Sequence, residues 1–470
     1  MENPATKLEK KVLFAIISIA MLTFMGIVSE TALNVAFPIL MREFNVVGAT
    51  IQWLTTGYLL IVAILVPISP MLVKRFPTKR LFQTAAIIFT TGTIFCGLAT
   101  NFPLLLTGRL IQATGTGISL PLMFNIILAL VPINKRGVVM GMAGLVTSFA
   151  PALGPTYGGI IVTSLGWQWI FILLLPIAIV SISLGSWSII TIRKLEKIPF
   201  DFLSIGLSAL AFSGIIYGFS IAGEMGWQYP NVAISLIVGL VALGLFVFRQ
   251  IKLDKPLVNL TVFKYPMFIV GLSNVFLVMM MILSFSFLLP IFNESVFGVN
   301  ATTAGMMMLP ASVLSALMAP IAGRILDAKG PKKLITAGTF ITLVAVLGFF
   351  IFTSTLQPYM VILLHMLLML GASMTFIPSQ TNGLNHLPEQ ITSDGTAIIS
   401  TLQQVAGATG TSLVAGIITI SQVKSKNPAN ALSPAELTTQ GVHNSLILLL
   451  TLAVIGFGLT FLIKSKQTEK

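Results

Sequence analysis

Two ionisable residues stand where ionisable residues are costly. Glu30 lies in the stretch SETALNVAFP, Ser29 to Pro38, inside an apolar run from Val12 to about Ile39, and Arg109 lies in LLLTGRLIQATGTG, residues 104–117. A carboxylate left charged and unpaired at bilayer depth costs on the order of several kcal/mol, so such a residue points to function unless it is paired. Burial without full compensation disfavours the charged form of a carboxyl, and such a group takes up a proton at one face and releases it at the other. Arginine stays protonated at physiological pH, so Arg109 cannot carry that proton, but its field sets when Glu30 does. The alternative is a fixed structural ion pair between the two. Three- and four-residue spacing groups Gly26, Glu30, Asn34 and Pro38 on one small, polar helix face, with Leu33, Val35 and Ile39 off it, so Glu30 is expected to point into a bundle. Gln112 and Thr116 extend a polar stripe from Arg109.

The elements that position these residues are apolar helices. The chain has 470 residues, 56% of them hydrophobic and only 9% charged, against about 25% charged in an average soluble domain. Runs of about 20 apolar residues, enough to cross a bilayer, recur along its length. We read fourteen spans, roughly 12–39, 49–72, 81–99, 103–130, 137–164, 169–192, 201–222, 231–250, 267–290, 302–324, 333–352, 358–386, 397–421 and 443–464. The first run is too long for a signal-peptide core and lacks a small-residue cleavage pattern, so it is expected to be a mature helix. The net charge of +13 reflects topology, because the basic residues cluster in alternate loops: Lys74, Arg75, Lys79, Arg80, Lys135, Arg136, Arg249, Lys252, Lys255, Lys332 and Lys333 fall on the side of the N-terminus, with Arg42, Lys424 and Lys426 on the other. The positive-inside rule then predicts both termini in the cytoplasm of a multi-pass cell-membrane protein and makes nucleic acid a poor partner. One cysteine, Cys96, and three histidines, His365, His386 and His443, supply neither a disulfide framework nor a metal cluster, so no metal or cofactor is expected.

An internal repeat organises the spans. LVPISPMLVKRFPTKRL (65–81) lies without gaps over MAPIAGRILDAKGPKKL (318–334), at a shift of 253 residues, matching Pro67 to Pro320 and the basic pair Lys79 and Arg80 to Lys332 and Lys333. A loop recurring eight helices later implies two six-helix bundles, within 1–192 and 267–470, with two inserted helices and their inner linkers in 193–266. Duplicated halves are a common transporter architecture, with the substrate site near mid-membrane at their interface. Arg109 precedes Gly115 by six residues as His365 precedes Gly371, a weaker echo of the same register.

Four stretches together resemble the major facilitator superfamily, specifically its fourteen-helix drug:proton antiporter branch of EmrB/QacA type, across essentially the whole chain. SETALNVAFP is similar to the branch's acidic first-helix motif, with Glu30 for its aspartate and Phe37 for its leucine; LLLTGRLIQATGTG is similar to the motif that places an arginine, Arg109, inside the membrane. GLVTSFAPALGPTYGG (144–159) is similar to the antiporter motif, carried by Gly154, Pro155, Gly158 and Gly159, and GRILDAKGPKKL (323–334) to the gating-loop signature, carried by Asp327 and Gly330. In the first half that signature reads Pro70, Lys74 and Pro77 where glycine, aspartate and glycine are usual, with Arg75 following. Lys74 cannot replace the aspartate, so the first-half gate must be held some other way and Asp327 carries more of the role.

The resemblance implies an all-α polytopic protein of major facilitator fold, generally monomeric, that exports lipophilic, cationic drugs or toxic compounds in exchange for protons by alternating access. Export of an endogenous metabolite, lipid or signalling molecule by the same mechanism is the alternative. No nucleotide-binding Gly-x-x-x-x-Gly-Lys-Ser/Thr loop is present, so an ion gradient is the expected driving force. No His, Asp or Glu cluster of the kind a membrane enzyme needs is present either. Asn34, Gln52, Trp53, Tyr58, Gln112, Phe276, Met280, Gln380, Asn382 and Gln404 are the candidate pocket residues, because apolar walls with few polar groups and adaptable methionines suit bulky ligands. Glycines and a proline in the fifth span admit close helix approach and a bend, as ordinary membrane-helix packing also does.

Overall fold

The computed structural model describes residues 10–46, 48–51, 53–190, 201–299, 301–423 and 433–464. Fourteen long helices follow in order: α1 (Lys10–Ala32), α2 (Trp53–Arg75), α3 (Thr78–Gly97), α4 (Phe102–Leu130), α5 (Ile133–Ser164), α6 (Leu174–Ser188), α7 (Phe202–Met225), α8 (Pro230–Lys252), α9 (Pro266–Phe297), α10 (Ala301–Lys329), α11 (Pro331–Phe352), α12 (Pro358–Asn385), α13 (Thr392–Val423) and α14 (Pro434–Leu459). Among the described residues twelve spans qualify by length and apolarity, or thirteen with the bent α5 counted. The remaining helix is α3, whose Lys79, Arg80, Gln83 and four threonines from Thr84 to Thr93 dilute its apolar content. It still has 20 residues, about 30 Å of helix, and packs along α4 and α6.

Prolines and small polar caps set many of the boundaries. Asn101 caps α4 by accepting from the Leu104 N–H at 2.9 Å, with Pro103 in its first turn. Ser433 and Glu436 form a reciprocal capping box at the start of α14. Several helices outrun the expected spans at the basic end of the molecule, α10 reaching Lys329 and α13 beginning at Thr392, because the polar residues there find partners across the bundle.

The first six helices pack on one another, as do the last six, and α2, α5, α10 and α13 make the main contacts between the two sets. The hairpin α7–α8 lies beside this seam, α7 touching both α2 and α13. Its base is fastened twice: Arg249 Nε and Nη2 donate to the two Asp201 oxygens, each at 2.9 Å, and Gln250 Nε2 donates to Ser204 Oγ at 2.7 Å. Burial acts to raise Asp201, but hydrogen bonds from Arg249 and Ser204 outweigh it and hold the carboxyl at about 2. The outer face of α8, with Ile237, Val241, Leu245 and Phe248, is exposed and apolar, as a bilayer-facing helix requires.

Candidate functional site

The α-helical geometry of α1 ends at Ala32, and the Leu33–Ala36 part of the SETALNVAFP stretch is a tighter 3₁₀ turn. Glu30 sits in the last turn before that change and is half-buried. Arg109, on α4, is completely buried. Its guanidinium is held by neutral groups: Nη1 donates to Gln112 Oε1 at 2.7 Å and to the Ser29 carbonyl at 3.4 Å, and Nε donates to the Leu54 carbonyl at 3.4 Å. Its Cζ lies 4.2 Å from the centre of the Tyr58 ring, in cation–π contact. Nη2 has no partner among the described residues. Among the described residues no ion pair within 4 Å joins Arg109 to Glu30. The fixed-pair alternative is therefore not the arrangement present.

Tyr58 and Gln112, read from sequence as pocket residues, are instead enclosed in this network. The Tyr58 hydroxyl hydrogen-bonds with the Gly26 carbonyl at 3.0 Å and the Thr116 hydroxyl at 2.6 Å. Gln112 Nε2 donates to Thr93 Oγ1 at 2.9 Å, which orients Oε1 toward Arg109. Gly26 lets α1 approach, since a Cβ there would meet the Thr116 side chain. Asn34 and Trp53 are exposed; Asn34 Oδ1 accepts from Thr55 Oγ1 at 2.7 Å, and Trp53 stacks 5.9 Å from Tyr217 of the hairpin. Gln52 lies outside the described residues.

The antiporter-motif glycines face α1 directly after Glu30. A Cβ on Gly154 would strike Thr31 Oγ1 and one on Gly158 the Ala32 carbonyl, whereas Gly159 faces open space. The two parts of α5, Ile133–Pro151 and Thr156–Ser164, meet at 48°, with Pro155 at the bend, where a missing N–H breaks the helical ladder.

In the second half, Gln380 and Asn382 on α12 and Met280 on α9 are buried, while Phe276 and Gln404 are half-buried. Among the described residues neither amide atom of Gln380 has a partner, nor do Gln403 Nε2 and Asn274 Oδ1. Buried polar atoms are normally satisfied, so these amides are available to water or a ligand. His365 is buried with Nδ1 unpartnered.

The basic end of the molecule is closed. Asp327, at the foot of α10, accepts from the backbone N–H groups of Gly137 and Val138 at 2.8 and 2.9 Å, near the start of α5. Gly330, φ +78°, ends that helix in a conformation that favours glycine. The repeat places Lys74 opposite Asp327, and Lys74 Nζ pairs with Asp394 Oδ2 at 2.7 Å in the first turn of α13. Where the second half sets an aspartate against a helix start, the first half sets a lysine against an aspartate supplied by the helix start itself. Asp394 is fully buried and also accepts from the Asn259 N–H at 2.9 Å. Arg136 completes the closure by donating to Asn385 Oδ1 at 3.1 Å. Arg75, also named for this loop, is half-buried beside Phe76. Sequence reasoning missed Asp394, which falls before the expected start of its span; the charge reversal at Lys74 was the signal that an acid should face it.

A bundle of apolar helices with a buried arginine network and a latched seam is the build of a membrane transporter, not an enzyme. The model of the Major Facilitator Superfamily matches residues 19–411, and the chain belongs to that family. It is 44% identical over 444 residues to the lincomycin resistance protein LmrB of Listeria monocytogenes, 94% of each chain being covered, and 44% identical over 466 residues to LmrB of Bacillus subtilis, covering 98% of this chain and 97% of that one. The structure resembles the human organic anion transporter MFSD10 (TM-score 0.67, 13% identity, 96% of this chain and 100% of that one) and the proton:xylose symporter XylE (TM-score 0.62, 12% identity, 95% of both). At those identities the resemblance concerns the fold.

Proposed function

We propose that the chain exports lincomycin-like or other lipophilic, cationic compounds in exchange for protons, with Glu30 as the proton-carrying group. The observation that carries this reading is the Glu30–Arg109 arrangement: the arginine is fixed by Gln112, Ser29, Leu54 and Tyr58, so the carboxyl is free to change charge without dismantling its surroundings. A carboxyl that is not locked in an ion pair is open to a cationic substrate or to a proton, and the two compete for it. The names of the relatives support the substrate class.

With the basic loops in the cytoplasm, the contacts of Lys74, Asp327 and Arg136 hold the cytoplasmic side shut. The exposed Asn34–Thr55 pair and Trp53, at the other end of the seam, mark the side open for release. In that state Glu30 takes a proton from outside and its attraction for a cation falls. After the halves rock, the proton leaves to the cytoplasm and a new cation binds. Gln380 and Gln403 of the second half offer amides to the polar groups of the substrate. The test is uptake of lincomycin into inside-out proteoliposomes with an acidic interior. We expect accumulation that collapses when a protonophore is added; equal accumulation without a pH gradient would overturn the coupling.

A further inference from the structure

We infer that a pocket between the inserted hairpin and the seam holds an acyl chain of an anionic phospholipid, whose headgroup rests on lysines at the basic end. The cavity is about 220 Å³, and its walls come from both halves and from the hairpin: Pro67 of α2, Phe212 of α7, Phe246 of α8, Phe263 of the α8–α9 connection, and Ile398 and Leu402 of α13. Thr401 brings a hydroxyl to the lining, but it donates to the Ala397 carbonyl at 2.8 Å, so a polar guest finds nothing to bind. Apolar cavities of about 150 Å³ stay dry and accept benzene-sized guests, and this one has room for a run of methylenes.

The source of the guest follows from the surroundings. Helix α8 forms one wall and turns its opposite, exposed apolar face outward, so the pocket lies one helix away from the lipid. The connection that supplies Val258 and Phe263 to the lining also carries exposed Lys255 and Lys264, with exposed Lys252 just before it. Basic groups at the ends of membrane helices attract anionic headgroups. A chain entering beside this connection therefore meets matching charge first and matching apolarity next.

Occupancy favours one conformation. Ile398 is one turn from Asp394, Pro67 is two turns from Lys74, and Val258 precedes the residue whose N–H donates to Asp394. A guest touching α2, α13 and the hairpin together binds best when Lys74 and Asp394 are paired, and so shifts the population toward that state. This inference is independent of the proton chemistry proposed for Glu30.

The test uses full-length protein in detergent with phosphatidylglycerol carrying a photoreactive diazirine in mid-chain, and phosphatidylcholine with the same chain for comparison. Mass spectrometry should locate adducts on Phe246, Phe263 or Ile398, at least fivefold more with phosphatidylglycerol. Leu402→Trp, which fills the pocket, should lower these adducts at least fivefold, and the smaller filler Ala397→Leu at least twofold should the first variant fail to fold. Changing Lys252, Lys255 and Lys264 together to Gln should bring phosphatidylglycerol labelling down to the phosphatidylcholine level. Undiminished labelling in the filled variants, or equal labelling by the two lipids in the unaltered protein, overturns the proposal. So does displacement of the lipid by lincomycin at the concentrations that drive transport, since the pocket would then belong to the substrate.

Discussion

Arg109 lies in the core of the first six helices with no carboxylate in contact among the described residues, which suggests a division of work between two residues. Neutral acceptors and the Tyr58 ring hold the arginine, and in the proposed function this leaves Glu30 to carry the proton. Glu30→Gln should therefore abolish pH-driven efflux, by at least tenfold in initial rate, with normal expression and melting; Glu30→Asp should keep part of the activity. Tyr58 separates ring from hydroxyl. Tyr58→Phe keeps the cation–π contact and loses hydrogen bonds with Gly26 and Thr116, a cost of about 1 kcal/mol, whereas Tyr58→Leu loses the ring contact as well, about 2 kcal/mol more when desolvated. Thermal melts of the two variants check that order. The placement of Glu30 and Arg109 within apolar helices was legible in the sequence because a charge in an apolar run stands out. The roles of Tyr58 and Gln112 were not, because which side of a helix faces a neighbour depends on tertiary packing, and a polar residue near mid-membrane reads the same whether it lines a pocket or supports an arginine.

Helices α1 and α5 meet where glycine removes the side chain that would separate them. Gly158→Ala should impair transport at least fivefold, because the added carbon falls on the Ala32 backbone, while Gly159→Ala should be neutral, since nothing lies within 4 Å of it; a transport assay on the pair distinguishes a packing seam from a merely glycine-rich stretch. The latch between α2 and α13 makes a second prediction. Lys74→Asp sets two carboxylates together and breaks a buried pair, a loss of about 3–5 kcal/mol, and should disable transport. Adding Asp394→Asn should restore much of it, because Asp at position 74 could then accept from the start of α13 as Asp327 does from α5. At the base of the hairpin, Asp201 titrates at about 2, below its usual 3.8. Its stabilising contribution is complete above the unfolded value and is lost only as pH falls through about 2. Asp201→Asn should thus lower the melting temperature by the same amount at every pH from 5 to 9. The loop repeat gave the register that sets Lys74 opposite Asp327, yet it could not name the partner of Lys74. Asp394 is 320 residues away, and only the folded seam brings the two together.

On the scale of the whole molecule, the first six and the last six helices meet along α2, α5, α10 and α13 and are latched at the basic end by three sets of contacts; in the proposed function one carboxyl, Glu30, exchanges the proton. Composition and periodicity were enough to read an all-helical membrane protein with a repeat, because bilayer thickness fixes the length of each span. The span read at 81–99 is the least apolar: α3 is diluted by threonines and basic residues, and its length and packing along α4 and α6 set it in the bundle. The central claim is that substrate and proton compete through Glu30. It is tested most directly by adding lincomycin to the purified protein in weakly buffered detergent solution and recording the proton released. Release should come from the unaltered protein near the pH at which half of Glu30 is protonated, and none from Glu30→Gln. Equal release from both proteins would contradict it.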